Sequence, residues 1–334
     1  MSTQQSFVSL EDIRAAAARI TGRVLRTPIV ESATLEELLG SPVYLKLEHH
    51  QITGSFKLRG ATNAVLALSS AARAYGVVAA STGNHGRALA HAAKAEGMVA
   101  TICMSRLVPE NKVSEIRRLG AGVHIAGNSQ DEAQDEVDRL VAQKGMVMVP
   151  PFDHAAVIAG QGTLGLEIIE QLLDVETVLV PLSGGGLAAG VAAAINGLRP
   201  RTRIIGLTME RGAAMKASLD VGHPVQVEEL PSLADSLGGG IGLGNALTFA
   251  MCRDLLDDVI LLSEEEIAAG MRHAYAAERE IVEGAGAVGI AALLSGKIKS
   301  TGPIAVILSG RNVDMGLHRQ IVNGASSLPA GVAA

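Results

Sequence analysis

The chain has 334 residues, 48% hydrophobic and 19% charged, enough to bury a large core in one or two domains. Its formal net charge is -6 with the basic residues scattered, and aromatics make up only 2% with no Trp, so it has neither a cationic stripe nor a base-stacking platform and nucleic acid is excluded as a partner. No apolar run approaches the roughly 20 residues of a membrane span, and the first residues lack a basic-then-apolar leader, so a cytoplasmic protein with a small-molecule partner and no membrane partner is expected. With so few aromatics the core falls to Ala, Val, Leu and Ile, which favours helices packed on a buried parallel sheet.

In chain order, the stretch TGSFKLRGA (53–61) places Lys57 at the start of a helical segment, FKLRGATNAVLAL. A lysine there can run its stem along apolar surface to water, or, desolvated, serve as a nucleophile; the segment alone leaves both readings open. From residue 77, short β-type runs alternate with helical segments. VVAA (77–80), MVATICM (98–104), GVHIAG (122–127) and MVMVP (146–150) are the strands, and the stretches between them, among them HGRALAHAAKAEG and PENKVSEIRRLG, are the helices. A second series follows with TVLVPL (177–182), a glycine loop, LAAGVAAAINGLRP and RIIGLTM (203–209), and PIAVILSG (303–310) supplies a late strand. The alternation predicts an α/β protein with two open parallel-sheet α/β domains and a ligand cleft between them: 1–75 plus 153–334 as the large domain and 76–152 as the small, mobile one.

Three loops stand where such strands end. SGGGLAAG (183–190) joins an apolar strand to an alanine-rich helix, and successive glycines let backbone N–H groups converge on one anion, so a phosphate is the expected ligand. No Lys-Ser/Thr pair follows, which rules out a nucleotide loop of the Walker kind. STGNHG (81–86) opens a helix, with Ser81 and Thr82 as candidate caps and Asn84 directed into the cleft. ILSGRN (307–312) is another strand end, carrying a hydroxyl. GAGAVG (284–289) matches the dinucleotide pattern by letter, yet a helical segment precedes it and no acid follows about 20 residues on, so it reads as close packing. Cys103 and Cys252 read as core thiols, and His85 and His91 have no metal-like cluster to join. A phosphate loop together with a lysine of apolar neighbourhood suggests a phosphorylated aldehyde held as a Schiff base.

TGSFKLRGA, STGNHG, SGGGL and SGRN, in that order over some 250 residues, resemble the pyridoxal-phosphate enzymes of the tryptophan-synthase-β fold (fold type II), in the serine/threonine dehydratase branch. STGNHG and SLADSLGGGIG are most similar to a subgroup of hydroxyectoine-utilisation dehydratases. The resemblance implies pyridoxal 5'-phosphate bound through Lys57, with Ser55 and Phe56 against the cofactor, Asn84 on its 3-oxygen, and Ser309 facing the pyridine nitrogen. Gly184, Gly185, Gly186 and Leu187 would hold the phosphate, with Ser183 at the mouth of that loop. The loop Ser81, Thr82, Gly83, Asn84, His85 would take the substrate carboxylate, and Asp235 would stand beside the substrate. The implied reaction is loss of water and then, by hydrolysis, of ammonia from a β-hydroxy-α-amino acid to give a 2-oxo acid, by a homodimer.

Several positions depart from the family pattern. Thr82 stands where racemases carry a second serine, which argues against racemisation. Met215 and Lys216 follow Glu210 where metal-binding relatives carry an acid, so no bound divalent ion is expected. Ala234, Asp235 and Ser236 replace alanine-aspartate-glycine, and VEGAGA replaces a glutamate-proline, both on the substrate side, so the preferred substrate need not be threonine. No regulatory domain is expected after SGRNVDM, and feedback inhibition by isoleucine is not expected. The competing readings are an amino-acid racemase, a β-replacement transferase, and a non-catalytic protein that binds pyridoxal phosphate or an amino acid.

Overall fold

The computed structural model describes residues 7–81, 83–108, 110–300 and 302–328. Its strands are β1 (Ile29–Glu31), β2 (Val43–Lys46), β3 (Val77–Ala80), β4 (Ala100–Met104), β5 (Gly122–Ile125), β6 (Val147–Met148), β7 (Thr177–Pro181), β8 (Arg203–Met209), β9 (Asp258–Leu262) and β10 (Ile304–Ile307). They form two sheets. A six-stranded sheet runs β1-β2-β10-β7-β8-β9, and a four-stranded one runs β5-β4-β3-β6. All four strands of the smaller sheet are parallel. In the larger sheet only β1 runs antiparallel, as an edge strand on β2.

Strands β1, β2 and β9 have no counterpart in the sequence reading. β1 is three residues of mostly exposed edge, and β9 is only half-buried, so neither carries the continuous apolar run that marks a central parallel strand. β2 is Val-Tyr-Leu-Lys, and its half-exposed tyrosine and terminal lysine break the apolar run that made the equally short β3 legible.

Strand periodicity separates two cores across the larger sheet. Val178, Val180, Ile204, Ala305 and Ile307 face one core, built on the helices Ala155–Gln171 and Gly186–Leu198. Leu179, Ile205, Ile304 and Val306 face the other, built on Glu264–Ala276 and Gly284–Leu294. The smaller sheet packs one face on a third core that also takes Leu58, Ala61, Ala64 and Val65 from the helix Lys57–Leu66. The lysine-bearing helix is therefore shared between the two sheets. Cys103 and Cys252 are both buried and unbridged, and burial pushes their thiols up to about 11 and about 12.

The run GAGAVG is packing, as its letters in this setting suggest. A Cβ on Gly284 would lie 2.1 Å from the Leu233 carbonyl oxygen, one on Gly286 2.6 Å from that of Gly310, and one on Gly289 2.4 Å from Val306. These contacts press the helix Gly284–Leu294 against the end of β10. STGNHG departs from the expected capping. Gly83 is the N-cap of the helix Asn84–Ala95 and has no side chain to offer, while Ser81 reaches in from outside, its Oγ accepting the Gly86 N–H at 3.1 Å. Thr82 lies outside the described residues.

Candidate active site

The carboxyl ends of β3, β7 and β10 open on one cavity of about 490 Å³ between the two sheets. Lys57 projects into it from the first position of its helix. The preceding turn is stitched to the end of β10: Phe56 N–H donates to the Ser309 carbonyl at 3.0 Å, and Ser55 bridges Gly310. Lys57 Nζ donates to the Pro151 carbonyl at 2.7 Å and lies 5.3 Å from the centre of the Phe56 ring. Burial pulls its pKa down to about 8, with the Glu283 carboxylate opposing. A share of the amine is thus neutral near physiological pH, the form that attacks a carbonyl carbon.

Opposite the lysine, β7 ends at Pro181 and the chain turns through Ser183 and Gly184 into the helix Gly186–Leu198, capped by Gly185 at φ 88. Glycine is required here by contact as well as by conformation. A Cβ on Gly184 would sit 2.3 Å from the Phe152 ring, and one on Gly186 2.9 Å from the Phe152 Cα. Among the described residues nothing accepts the N–H groups of Gly186, Leu187 and Ala188, the first turn of the helix. These free donors at the positive end of a helix form an anion cradle.

A second cradle lies at the start of the helix Asn84–Ala95, where the N–H groups of Gly83, Asn84 and His85 have no acceptor among the described residues. The His85 ring does not face a ligand as a cation. Its Nε2 donates to the Val149 carbonyl at 2.7 Å, its Nδ1 has no partner, and burial, reinforced by Lys57, lowers its pKa to about 3. A carbonyl cannot donate, so the proton sits on Nε2 and the ring is neutral. His85 can therefore meet a substrate through its main-chain N–H or the bare Nδ1.

Between the cradles, Glu283 joins the polar groups. Asn84 Nδ2 donates to its Oε1 at 2.8 Å and Asn312 N–H to its Oε2 at 3.1 Å, while Asn312 Nδ2 spans Asn84 Oδ1 and the Thr53 carbonyl. Burial raises Glu283 to about 7, with Asp235 adding repulsion and the Asn84 and Asn312 donors pulling back. Ser309 is buried at the far wall, its Oγ 3.5 Å from the Ala285 carbonyl.

The cavity thus brings together Phe56, Lys57, Ser81, Gly83, Asn84, His85, the loop Ser183 to Leu187, Asp235 and Ser309. Ser55 does not line it; it is buried beneath, with no hydrogen-bond partner for its Oγ. Glu283, Lys112, Arg211 and Glu229 also line the cavity and were not singled out as site residues from sequence. Glu283 is the N-cap residue of the helix Gly284–Leu294 but makes no capping bond with its side chain, which turns to Asn84 and the Asn312 N–H instead. Glu210 is exposed, and Met215 lies buried behind Gly185, so no acid there completes a pair with it.

The family of pyridoxal-phosphate dependent enzymes matches residues 20–310. The chain belongs to that family. It is 68% identical over 320 residues, covering 96% of both chains, to a protein of Sinorhizobium fredii that carries the provisional name threonine dehydratase. It is 42% identical to the L-threonine ammonia-lyase of Thermotoga maritima, over 95% of this chain and 78% of that one. Among solved structures, maize serine racemase superposes with a TM-score of 0.90 at 34% identity, covering 94% of this chain and 97% of the other. The protein is a pyridoxal-phosphate-dependent lyase similar to the threonine dehydratases, with the fold of the type II enzymes.

The cavity fits the cofactor by its donors. A cradle that only glycine can form offers unpaired amides to a phosphate, and a buried amine of lowered pKa faces it from the other wall. Asn84 keeps one amide hydrogen beyond the one given to Glu283, and Ser309 presents a neutral hydroxyl. No helix among the described residues is long and apolar enough to cross a membrane.

Proposed function

We propose that the protein removes water from a β-hydroxy-α-amino acid of the threonine/serine type and that the resulting enamine then loses ammonia by hydrolysis, releasing a 2-oxo acid. The observation that carries this reading is one lysine, half-buried and with a single carbonyl partner, set between two cradles of unpaired amides. When bound, pyridoxal phosphate supplies an electron sink for the electrons of the substrate Cα–H bond. In this reading the amides of Gly184 to Ala188 hold the phosphate, with Ser183 at their mouth, and those of Gly83 to His85 hold the substrate carboxylate, a group the helix dipole favours. Lys57 carries the cofactor, then removes the α-proton and returns one to the departing hydroxyl. Asn84 positions the cofactor's 3-oxygen, and the Phe56 ring borders it. The Ser309 hydroxyl would face the pyridine nitrogen and, unlike a carboxylate, would not hold it charged, leaving a modest electron sink suited to departure of the β-hydroxyl. Elimination is favoured over transamination.

The finer reading is a substrate with a second amine, of the 3-hydroxy-2,4-diaminobutyrate type that hydroxyectoine utilisation would supply. It is supported by Asp235 and Glu229, two carboxylates at the cavity wall that an ammonium would complement. We further propose that 76–152 closes on the substrate as the small domain against 1–75 plus 153–334, and that the protein is a cytoplasmic homodimer. Racemisation is the second reading, favoured by the likeness to maize serine racemase. The deciding experiment supplies L-threonine, L-serine, threo-3-hydroxyaspartate and 3-hydroxy-2,4-diaminobutyrate to the purified holoenzyme. Stoichiometric 2-oxo acid and ammonia support the lyase. D-serine without either product would sink it.

A further inference from the structure

Outside the cleft, the fold gathers three side chains that the sequence keeps some 230 positions apart. His49 and His50 stand on the single turn Glu48–His50 after β2, and Glu280 lies between the helices Glu264–Ala276 and Gly284–Leu294. Both Nε2 atoms approach the same carboxylate oxygen, Glu280 Oε2, at 2.8 Å, and the two rings are 4.3 Å apart. His49 is 1% exposed and His50 37%, so the trio has a dry side and a side open to water.

We propose that His49, His50 and Glu280 bind one divalent transition-metal ion of the zinc class, with water in the remaining position. Two imidazoles and a carboxylate form a ligand set suited to zinc, and three protein ligands with an open fourth place are the arrangement in which it keeps a water. The ligand atoms all lie within 4.8 Å of one another. At metal–ligand distances of about 2.0–2.2 Å, tetrahedral ligands stand roughly 3.4 Å apart. The two contacts at Glu280 must therefore open by about half an ångström, which torsions of the partly exposed His50 and Glu280 can supply.

Without metal the Glu280 carboxylate can only accept, so both rings donate to it from Nε2. Metal binding moves each ring's proton to Nδ1, and for His49 that nitrogen is buried with no partner among the described residues, a cost the metal–nitrogen bond has to offset. The surrounding depression is not cationic. Arg87, Arg279 and Arg311 line it, but so do Glu115, Glu280 and Asp314; Arg87 is paired with Glu115 at 3.0 Å, and Arg279 is turned onto the carbonyls of Ala276 and Ala277. The expectation of no bound metal rests on Glu210 and its neighbours but is general, and this proposal runs against it through residues that only the fold brings together.

The position gives such an ion work to do. The His49 N–H donates to the carbonyl of Leu308, the residue before Ser309, and Glu280 stands three positions before Glu283. An ion here would clamp together two segments that each carry a wall of the cleft, without touching the cleft itself.

The test uses the holoenzyme, stripped with chelator and titrated with cobalt(II) alone. One equivalent per chain should bind, with the ligand-field bands of a four-coordinate site, and zinc should displace it. His50→Ala and Glu280→Gln should each weaken binding about 100-fold, the order expected when one of three ligands is lost, while remaining folded and active. Binding should raise the melting temperature of the parent protein and of neither variant. Lys57→Ala should bind cobalt as the parent does, which separates the trio from chelation by the cofactor. Absence of saturable binding, equal affinity in His50→Ala, or loss of binding in Lys57→Ala would each overturn the assignment.

Discussion

Lys57 and Arg59 lie two residues apart on one helix and meet opposite surroundings. Arg59 is buried among carboxylates: its guanidinium donates to both oxygens of Glu48 at 2.7 and 2.8 Å and to both of Glu167 at 2.7 and 2.9 Å, with Thr163 and the Leu25 carbonyl taking the rest. Lys46 joins the same cluster through Glu167, Gln171 and the Thr27 carbonyl. Lys57 has one carbonyl. Burial alone would lower both cations' pKa values, yet Glu48 and Glu167 drive that of Arg59 upward while Lys57 falls to about 8. A buried charge whose donors are all satisfied holds elements together, whereas one left nearly unpartnered is free to react.

Removing each group separates these roles. Lys57→Ala should abolish turnover, a loss of at least the 10²–10⁴-fold typical of a missing proton-transfer group, while circular dichroism and the urea midpoint stay near those of the parent. Full activity in that variant would refute the assignment. Arg59→Ala should instead cost about 3–5 kcal/mol of stability, because it strands Glu48 and Glu167 without their partner. Denaturant unfolding reads that loss, and an unchanged midpoint would show that the cluster is not structural.

Smaller effects sharpen the contrast within the cleft. Gly185→Ala forces a side chain into the left-handed region at about 1–2 kcal/mol and directs a Cβ to 2.8 Å from Met215. It should weaken cofactor affinity about tenfold in equilibrium dialysis, with little change in the pH profile. In cofactor-free protein, the rate at which cofactor absorbance returns should rise with pH through about 8, since the neutral amine is the one that attacks. Glu283 raises the lysine's pKa, so Glu283→Gln should move that rise to lower pH. A midpoint near the ordinary lysine value would mean that the amine is solvated.

Much of the cleft could be read before folding because its parts are local. A glycine loop between strand and helix, an asparagine loop of the same kind and a hydroxyl at a third strand end each carry their chemistry in a few consecutive residues. Glu283 escaped because its role depends on Asn84, nearly 200 positions away, and on the backbone of Asn312. His85 was recognised, but the acceptor that immobilises its ring, the Val149 carbonyl, lies just past β6, 64 positions along the chain.

The sequence by itself determined the alternation of strands and helices and marked two candidate anion-binding loops, which follow from periodicity and from what consecutive backbone units can do; Lys57 was singled out through the likeness of its motif to a known family. Only the tertiary structure decided which charges are paired, which helix serves both sheets, and that His49, His50 and Glu280 meet. Electrostatic partnership acts over a few ångströms of space, and a linear chain does not reveal which distant residues will come within that range until it folds.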